Sequence, residues 1–257
     1  MSTPQSETDI AWSTDNLADP HKVADKAARV ERMFAAIAPS YDLNNRVHSL
    51  WRDQAWRRRT VKLAGVDANC VVVDVACGTG DQALAFADAA AQRVIGIDFT
   101  QPMLDIAEVK RQRAAAAYDN VSFQWGDAMR LDNVPDSSAD IVSITFGIRN
   151  VAKPQAAIDE FARILKPGGR LVILEFSLPR NVILRGLYNF YFKQILPRSA
   201  SLIARDRSGA YRYLPQSVNT FIGREELIAM MRSAGFIDVK PHALTFGVAV
   251  CYRGIKP

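Results

Sequence analysis

The chain has 257 residues, 49% of them hydrophobic, with three cysteines and a formal net charge of +5. This length and composition suit one large α/β domain, or one domain with a small appendage, that buries a sizeable core. No segment reaches the roughly 18 apolar residues of a transmembrane helix, and the irregular cysteine spacing predicts neither a disulfide framework nor a zinc site. The modest basic excess is compatible with nucleic acid, an anionic membrane surface or neither.

The N-terminal part of the chain predicts a lead followed by helices. Residues 1–22 are polar, lack a secretory signal pattern and predict a flexible lead, whereas residues 23–257 predict a single domain. From Lys22 to Leu63, charged and apolar residues separate onto two sides, which is typical of helices. Together with the three scattered cysteines, this start of the chain leads us to expect a reduced, cytoplasmic and metal-free protein.

Beyond residue 63, strands and helices alternate. Val71–Val75 is an apolar run typical of a strand buried on both faces. The predicted elements that follow are a helix over Gln82–Ala91, a strand over Arg93–Asp98, a helix over Pro102–Ala115, strands from Val121 and over Ala139–Gly147, a helix over Gln155–Leu165 and a strand over Arg170–Phe176.

The alternation ends at an insert, Pro179–Pro215, that is rich in arginine and aromatic residues. A helix ending at Gly235 and two closing strands, over 237–243 and 245–254, complete the chain. Alternating strands and helices imply a parallel sheet with helices on both faces. The fold class predicted is therefore α/β, a doubly wound, mostly parallel seven-stranded sheet with N-terminal helices and an insert after strand 5.

A glycine loop follows the first strand, in the stretch "VVVDVACGTGDQALAFA". Gly78, Gly80 and Ala83 satisfy the pattern G-x-G-x-x-A, and Asp98 follows at the spacing of a ribose-binding acid. This pattern is compatible with a dinucleotide site. Asp81, however, stands at the helix N-terminus where a pyrophosphate would rest, and its carboxylate would repel phosphates.

The acids around this loop favour a ligand with a positive centre and no phosphate. Asp74 lies inside the strand before the loop and places negative charge near it. For Asp81, the alternative is a structural charge at the N-terminus of the helix. S-adenosylmethionine carries a sulfonium, an ammonium, a ribose and an adenine. Asp98 can accept from both ribose hydroxyls, Asp127 can accept from the adenine amino group, and Ala128 can donate its N–H. These residues therefore predict a site for S-adenosylmethionine.

Three longer stretches are more specific than the glycine loop. They are "YDLNNRVHSLWRDQAW" (Tyr41–Trp56), "FGIRNV" (Phe146–Val151) and "RILKPGGRLVILEFSLP" (Arg163–Pro179). Over about Met33–Lys256 the chain resembles the ubiquinone/menaquinone-biosynthesis C-methyltransferase family of class I methyltransferases. The chain departs from the family pattern at five positions, which leaves the exact quinone open but does not change the reaction that the resemblance implies. They are Asn44 for Met, Asp53 for His, Ile164 for Val, Ala200 for Gly and Ile222 for Pro.

The resemblance implies a Rossmann-like methyltransferase that uses S-adenosylmethionine to methylate a ring carbon of a polyprenylated quinol. The pathway would be menaquinone biosynthesis (demethylmenaquinol to menaquinol), ubiquinone biosynthesis or both. The family's cofactor contacts fall on Thr79, Asp98, Asp127, Ala128 and Thr145, of which Thr145 comes from the resemblance alone. With the loop residues, the predicted cofactor set is Asp74, Gly78, Thr79, Gly80, Asp98, Asp127, Ala128 and Thr145.

Arg149 and Asn150 are the predicted catalytic residues, at the end of the fourth strand. A phenolic hydroxyl has a pKa of about 10, so a quinol ring needs a base or a nearby cation to activate it. We expect Arg149 to stabilise the quinolate oxygen and Asn150 to orient the ring. The alternative for Arg149 is a structural ion pair with an acid of a loop.

Four further residues are substrate candidates with a structural alternative for each. Tyr41 and Asp42 can close over the cofactor or touch the substrate, and capping of a helix is the alternative for Asp42. Tyr211 and Tyr213 can line the quinol site or serve as packing aromatics. The sequence does not identify the general base.

The insert also bears on partners. It places apolar residues at near-helical spacing (Leu184, Leu187, Tyr188, Tyr191 and Ile195) among arginines and lysine, which predicts peripheral contact with an anionic membrane. A core helix with a basic face is the alternative.

The sequence leaves open whether the protein forms a homo-oligomer or joins a biosynthetic complex. Nucleic acid is not an expected partner, because the Pro-Pro-aromatic loop of amino-methylating enzymes is absent from "FGIRN". A methyltransferase for another small molecule and a non-catalytic cofactor-binding domain are the remaining alternatives.

Overall fold

A computed structural model describes residue 12, residues 14–191, residue 194 and residues 209–257 of the chain. It does not describe the side chains of residues 14, 15, 115 and 211. Within this part of the chain, seven strands form one sheet. In chain order they are Val71–Val75 (β1), Arg93–Asp98 (β2), Val121–Trp125 (β3), Ala139–Thr145 (β4), Leu165–Phe176 (β5), Ile237–Leu244 (β6) and Ala249–Ile255 (β7).

The strands lie in the order β3-β2-β1-β4-β5-β7-β6. The first five are parallel, and β7 pairs antiparallel with both β5 and β6. The doubly wound, mostly parallel seven-stranded sheet expected from the sequence is therefore confirmed. The strand order reverses between β1 and β4, and in such sheets ligands bind outside the carboxyl ends of the strands at the point of reversal.

Helices cover both faces of this sheet. Short 3₁₀ turns at Ala38–Ser40, Ala115–Ala117, Ile148–Asn150 and Thr245–Gly247 join some of the elements. In chain order the described helices are Thr14–Leu17 (α1), Lys26–Ile37 (α2), Tyr41–His48 (α3), Arg52–Ala64 (α4), Asp81–Asp88 (α5), Gln101–Arg113 (α6), Pro154–Ile164 (α7), Val182–Phe190 (α8), Ala210–Thr220 (α9) and Arg224–Ser233 (α10).

Alternation along the strands gives the sheet two apolar faces. Val73 and Val75 of β1 belong to the core that includes Phe161 of α7. Val72, which directly precedes Val73, belongs to the opposite core, together with Phe86 of α5. Successive strand residues point to opposite faces, so a strand that is apolar at every position is buried on both sides. This explains why the apolar runs of the sequence predicted β1 and β2 at their observed bounds.

The helical region predicted between Lys22 and Leu63 is divided into three helices. Leu50 and Trp51 have φ values of 52° and 58°, in the left-handed region, and separate α3 from α4. A left-handed residue cannot continue a right-handed helix. The chain therefore turns a corner there, and both Leu50 and Trp51 are largely exposed.

Most of the other predicted boundaries differ from the structure by one to five residues, and two of these differences have a clear local cause. Helix α7 ends at Ile164 rather than Leu165, because Leu165 is already extended, with ψ 140°. The last strand begins at Ala249 and not at residue 245. Before it, Thr245–Gly247 forms a 3₁₀ turn in which Phe246 has φ 57° and is 82% exposed. The alternation of the sequence in this stretch does not reveal the left-handed turn.

Part of the predicted flexible lead packs onto the domain. Trp12 and Leu17 are buried, and the Trp12 ring centroid lies 4.4 Å from that of Tyr213 in α9. Packing against another aromatic side chain removes the indole ring from water and stabilises the folded state. Packing therefore begins before the predicted boundary at residue 22, whereas residues 1–11 lie outside the described part and flexibility there stays a prediction.

Candidate active site

A cavity lies at the carboxyl ends of β1 to β4, directly above the glycine loop. We call it the loop cavity. It brings together residues that the sequence predicted from four separate strands. The predicted residues among those that line it are Tyr41, Gly78, Asp98, Asp127, Ala128, Thr145 and Asn150.

Asp98 is the centre of the loop cavity's hydrogen bonding. One carboxylate oxygen accepts from the Gly78 N–H at 2.8 Å and the other accepts from the Thr100 N–H at 2.9 Å. Burial raises the pKa of this carboxyl, and these hydrogen bonds oppose the increase. A carboxylate has about four lone-pair sites, so Asp98 keeps acceptor capacity for hydroxyl groups of a ligand. Gly78 has φ 55° and allows the backbone to bend at this point.

Asp127 and Ala128 form the next edge of the loop cavity. One oxygen of Asp127 accepts from the Met129 N–H at 2.9 Å, and no described residue binds the other oxygen. The Ala128 backbone lies beside it and lines the same cavity. Thr145 ends β4, and its hydroxyl lies 3.4 Å from the Gln82 Oε1. This arrangement leaves one carboxylate oxygen available to a ligand amino group.

Three predicted cofactor residues, Asp74, Thr79 and Gly80, do not line the loop cavity as described. Thr79 donates its hydroxyl to Asp42 at 2.6 Å. Gly80 has φ 84°, and a Cβ there would lie 2.8 Å from the Phe123 ring, so it serves the turn into α5. Burial raises the pKa of Asp74 to about 7. Direct cofactor contact by these residues stays a prediction.

A network of charges fastens α3 over the glycine loop. Lys110 of α6 binds Asp42 at 2.5 Å and Asp81 at 2.6 Å, and Arg46 binds Asp81 at 3.0 Å. Although burial raises it, the pKa of Asp81 is held below its usual value by Arg57 and Lys110. Asp42 lines neither of the two cavities in the described part of the structure, and its carboxylate joins α3 to α6 through Lys110. Substrate contact by Asp42 stays a prediction.

A second, larger cavity lies on the other side of Tyr41. We call it the apolar cavity. Its volume is ≈ 360 Å³, which falls within the size range of small-molecule sites, about 300–1,000 Å³. Its walls come mainly from α2, α3, α4, α8 and α9. Aromatic side chains dominate the lining, including Phe34, Trp56, Phe146, Phe176, Tyr188, Tyr191 and Tyr213.

Among the described residues, Phe34, Tyr41 and Phe146 line both cavities and so form the wall between them. Phe34 and Tyr41 meet edge to face with ring centroids 5.9 Å apart. Phe146 stacks on Phe176 at 4.4 Å and has φ 57°, a left-handed conformation that is uncommon outside glycine. Strained backbone of this kind concentrates at functional sites. Two ligands held in the two cavities would therefore meet at this aromatic wall.

Arg149 lines the apolar cavity and also binds a buried carboxylate. Its Nη1 donates to Glu175 at 2.5 Å and to the Phe146 carbonyl at 2.8 Å. The guanidinium carbon lies 5.3 Å from the centroid of the Phe176 ring, and Nε has no hydrogen-bond partner among the described residues. The alternative for Arg149 was a structural ion pair with an acid of a loop. An ion pair is present, but its acid, Glu175, lies in strand β5, and the Arg149 side chain also lines the apolar cavity.

Asn150 and Tyr213 connect the two cavities. Asn150 lines the loop cavity and accepts from the Tyr213 hydroxyl at 2.9 Å, while Tyr213 lines the apolar cavity. The Asn150 amide also donates to the Phe146 carbonyl at 3.3 Å. Asn150 therefore reaches the apolar cavity through Tyr213 and not directly. The other predicted tyrosine, Tyr211, has a side chain outside the described part of the structure.

His48 supplies a proton acceptor that sequence reasoning missed. The Tyr191 hydroxyl donates its single proton to the His48 carbonyl at 3.1 Å, so its oxygen accepts from His48 Nδ1 at 3.3 Å. Nε2 then keeps its lone pair, and it is buried without a partner among the described residues. Burial lowers the pKa of His48, which favours the neutral ring.

Sequence reasoning also missed Glu175, although an acid inside the apolar strand "RLVILEF" indicates a buried carboxylate that needs a partner. Buried acids are normally paired or hydrogen-bonded. Glu175 accepts from Arg149 and from the Phe176 N–H, the latter at 2.8 Å. Phe34 and Tyr188 gave no such signal, because their helical spacing is that of any core residue. Within the described chain, no cluster of three or more His, Cys, Asp or Glu side chains has the arrangement of a metal site.

The fold and the loop cavity define a class I methyltransferase that uses S-adenosylmethionine. The crystal structure of a SAM-dependent methyltransferase from Aquifex aeolicus has the same fold, with a TM-score of 0.57 at 15% sequence identity, covering 78% of this chain and 89% of that chain. At this identity the likeness concerns the fold alone.

The chain belongs to the ubiE/COQ5 methyltransferase family, whose model matches residues 22–256. It is 44% identical over 233 residues to a demethylmenaquinone methyltransferase of Deinococcus radiodurans, covering 90% of this chain and 94% of that protein. It is 40% identical over 240 residues to the ubiquinone/menaquinone biosynthesis C-methyltransferase UbiE of Geotalea daltonii, covering 91% of this chain and 99% of that protein. The family resemblance drawn from the sequence signatures is confirmed.

The described residues fit S-adenosylmethionine at the loop cavity. Asp74 is a buried acid beside the glycine loop, where burial raises its pKa and the neighbouring Ser143 hydroxyl only partly opposes the increase. Asp98 and Asp127 add carboxylates on the cavity itself. A ligand with positive charge and hydroxyl and amino donors suits this set, whereas a pyrophosphate would be repelled by it.

Proposed function

We propose that the protein transfers a methyl group from S-adenosylmethionine to a ring carbon of a polyprenylated quinol, with demethylmenaquinol as the first acceptor. The observation that carries the proposal is the pair of cavities, one acidic and one aromatic, separated by Phe34, Tyr41 and Phe146. The name of the Deinococcus relative favours the naphthoquinol. The name of the Geotalea relative keeps a methoxy-polyprenyl-benzoquinol as the second acceptor.

In this proposal the chain aligns the two reactants and excludes water. S-adenosylmethionine, when bound, supplies a methyl group that its sulfonium already makes electrophilic. Gly78, Asp98, Asp127 and Ala128 would hold its ribose and adenine at the loop cavity. The aromatic wall would admit a flat ring edge toward that cavity while it keeps bulk water away. Correct placement of two reactants accounts for a large share of the rate of such transfers.

Arg149 would activate the acceptor ring. An oxygen anion on the quinol ring pushes electron density onto the neighbouring carbon, so a cation beside that oxygen lowers the pKa of the hydroxyl from its usual value of about 10. Arg149 and Arg57 both line the apolar cavity, and the Nε of each has no hydrogen-bond partner among the described residues. We assign this role to Arg149 because it stands in the turn after β4, next to Asn150 of the loop cavity. Glu175 pairs with Nη1 of Arg149 and balances its charge, which stabilises the buried guanidinium.

Asn150 and His48 would complete the acceptor site. Asn150 fixes the Tyr213 hydroxyl, so it would orient the ring through Tyr213. The Nε2 lone pair of His48 would receive the hydroxyl proton. Once the ring carbon holds the methyl group, it would release its own hydrogen as a proton, which restores the aromatic ring. The ring oxygen would then be reprotonated, so that one proton in all passes to solvent. Tyr41 forms part of the wall and would contact both reactants.

The proposal predicts methyl transfer to a reduced naphthoquinol. With labelled S-adenosylmethionine, we expect label in a demethylmenaquinol and less, or none, in a methoxy-polyprenyl-benzoquinol analogue offered in parallel. The oxidised quinones are the matched control and should remain unlabelled, because they carry no hydroxyl that can ionise. Label in neither quinol, while calorimetry shows cofactor binding, would mean that the acceptor is wrong.

We also propose that the enzyme meets its polyprenylated substrate at a membrane surface. No described helix is both long enough and apolar enough to cross a bilayer. Helix α8 nevertheless exposes Val182, Ile183, Leu187 and Phe190, while its Tyr188 is buried against the apolar cavity. Of the insert residues predicted to face a membrane, Ile195 lies outside the described part of the structure. The exposed apolar face adjoins the cavity that would receive the quinol, which supports contact with lipid at that edge.

Exposed apolar residues of α8 should control this contact. Leu187 and Phe190 are 64% and 61% exposed, and each large apolar side chain buried in lipid contributes about 1.5–3 kcal/mol. Changing both residues to serine is therefore expected to weaken binding to anionic phospholipid vesicles by about tenfold or more. Co-sedimentation measures the bound fraction. Val109→Ser, at a 47% exposed position of α6, is the control. Equal binding by all three proteins would remove α8 from the membrane surface.

A further inference from the structure

Lys26 is a buried lysine that the proposed reaction does not use. It lies at the start of α2, and only 3% of its surface is exposed. Its Nζ donates to the Arg149 carbonyl at 2.8 Å and to the Val151 carbonyl at 2.7 Å. These two carbonyls flank Asn150 at the end of the Ile148–Asn150 turn. A lysine distant in sequence therefore holds the turn that carries both predicted catalytic residues.

His21 takes the third proton of this ammonium. His21 Nε2 lies 2.9 Å from the Ser217 carbonyl, which only accepts, so Nε2 carries the imidazole proton. Nδ1 is then an acceptor for Lys26 Nζ at 3.2 Å. Burial lowers the pKa of His21, which keeps the ring neutral. Since an ammonium has three N–H donors, protonated Lys26 is fully hydrogen-bonded, and a neutral amine would lose one of these bonds.

We propose that Lys26 is a positioning residue that holds the Ile148–Asn150 turn so that Arg149 faces the apolar cavity and Asn150 faces the loop cavity. The contact joins three elements: α2 at Lys26, the turn after β4, and α9 at Ser217 through His21. Helix α2 also lines both cavities through Phe34. Lys26 thereby couples the position of α2 to the orientation of Arg149. The inference rests on the proposed function, because it acts through Arg149.

Lys26→Met tests the proposal, since methionine keeps the length of the side chain but donates no hydrogen bond. We expect kcat to fall about 10- to 100-fold, the scale of a small misplacement of a catalytic group, with a smaller change in KM. Lys22→Met is the matched control. Lys22 lies four residues earlier, its side chain is 85% exposed, and it pairs only with Asp19 in the described contacts. Wild-type kcat in both variants would overturn the proposal.

The pH dependence separates positioning from simple packing. Burial, and then the charge of Arg149, lower the pKa of Lys26 to about 8, while Asp19 opposes this and His21 stays neutral. Above that pH the wild type loses its third hydrogen bond at Lys26. The ratio of wild-type to Lys26→Met kcat should therefore fall as the pH rises through about 8. A ratio that is constant between pH 7 and 9.5 would contradict the proposal.

A double-mutant cycle and hydrogen exchange distinguish the remaining outcomes. If Lys26 acts in part through Arg149, adding Lys26→Met to Arg149→Met should lower kcat by less than Lys26→Met does alone, whereas fully additive losses would indicate that Lys26 does not act through Arg149. Amide exchange at residues 148–151 should quicken in Lys26→Met and not in Lys22→Met. Exchange needs no substrate, so it tests Lys26 even if the wild type methylates neither quinol. In that case the proposed function fails, and unchanged exchange would overturn the Lys26 proposal separately.

Discussion

Replacing Arg149 with methionine is expected to lower kcat with a reduced quinol by about 10²- to 10³-fold, the usual cost of removing one donor that stabilises a developing oxygen anion. The KM for S-adenosylmethionine should change little, because Arg149 lines the apolar cavity and not the loop cavity. Initial-rate kinetics with each substrate varied in turn measure both quantities. Arg149→Lys is the control for charge, and it should recover only part of the rate because an ammonium cannot reproduce the guanidinium fork.

The same substitution should destabilise the fold, because Glu175 would stay buried without its partner. Losing one member of a buried ion pair costs about 3–5 kcal/mol, which denaturant unfolding can measure. Replacing Glu175 with methionine in the same protein removes the orphaned charge and should recover much of that stability. Turnover should not return with it. An Arg149→Met, Glu175→Met protein that regains wild-type turnover would show that Arg149 serves the fold and not the reaction.

Asp98→Ala carries the second large expected effect, on cofactor affinity. The substitution removes the acceptor predicted for the ribose hydroxyls and leaves the N–H groups of Gly78 and Thr100 without their carboxylate. Hydrogen bonds to a charged group contribute about 1.5–3 kcal/mol each, so Kd for S-adenosylmethionine should rise about 100-fold or more. Titration calorimetry measures this change.

Asp105→Ala is the matched control for Asp98. Asp105 lies nearby in α6, and in the described contacts its carboxylate accepts only from the exposed Gln101 side chain at 2.8 Å. Cofactor affinity should be unchanged there. Asp98→Asn should fall between wild type and Asp98→Ala, because an amide keeps one acceptor oxygen. If Asp98→Ala bound the cofactor with wild-type affinity, the ribose would have to lie elsewhere.

Local patterns in the sequence were sufficient for the sheet and for the acidic edge of the loop cavity. Apolar runs predicted β1 and β2 at their observed bounds, because strands buried on both faces leave little choice of side chain. Asp98 and Asp127 end or follow strands, and parallel strands bring their carboxyl ends to one edge. The positions of these acids in space therefore follow from their positions in the sequence.

Local sequence patterns did not predict the contacts between residues that are distant in the chain. Arg149 and Glu175 are 26 positions apart, and Lys26 lies 123 positions before Arg149. The first contact depends on the pairing of β4 with β5, and the second depends on how α2 packs against the turn after β4. No local pattern encodes either arrangement. The left-handed conformation of Phe146 was equally invisible, since phenylalanine has no preference for positive φ. The sequence signatures contain Arg149 and Asn150, but they do not reveal the bonds of these residues to Glu175 and Tyr213.

The position of the transferred methyl group tests most directly whether the protein methylates a ring carbon of the quinol. S-adenosylmethionine labelled with ¹³C in its methyl group is incubated with the wild-type protein and a reduced demethylmenaquinol, and the product is analysed by NMR. If Arg149 holds the neighbouring oxygen as an anion and so directs electron density to the ring carbon, the ¹³C methyl group will be found on a ring carbon. A methyl group on the hydroxyl oxygen, or no labelled quinol at all, would contradict this proposal.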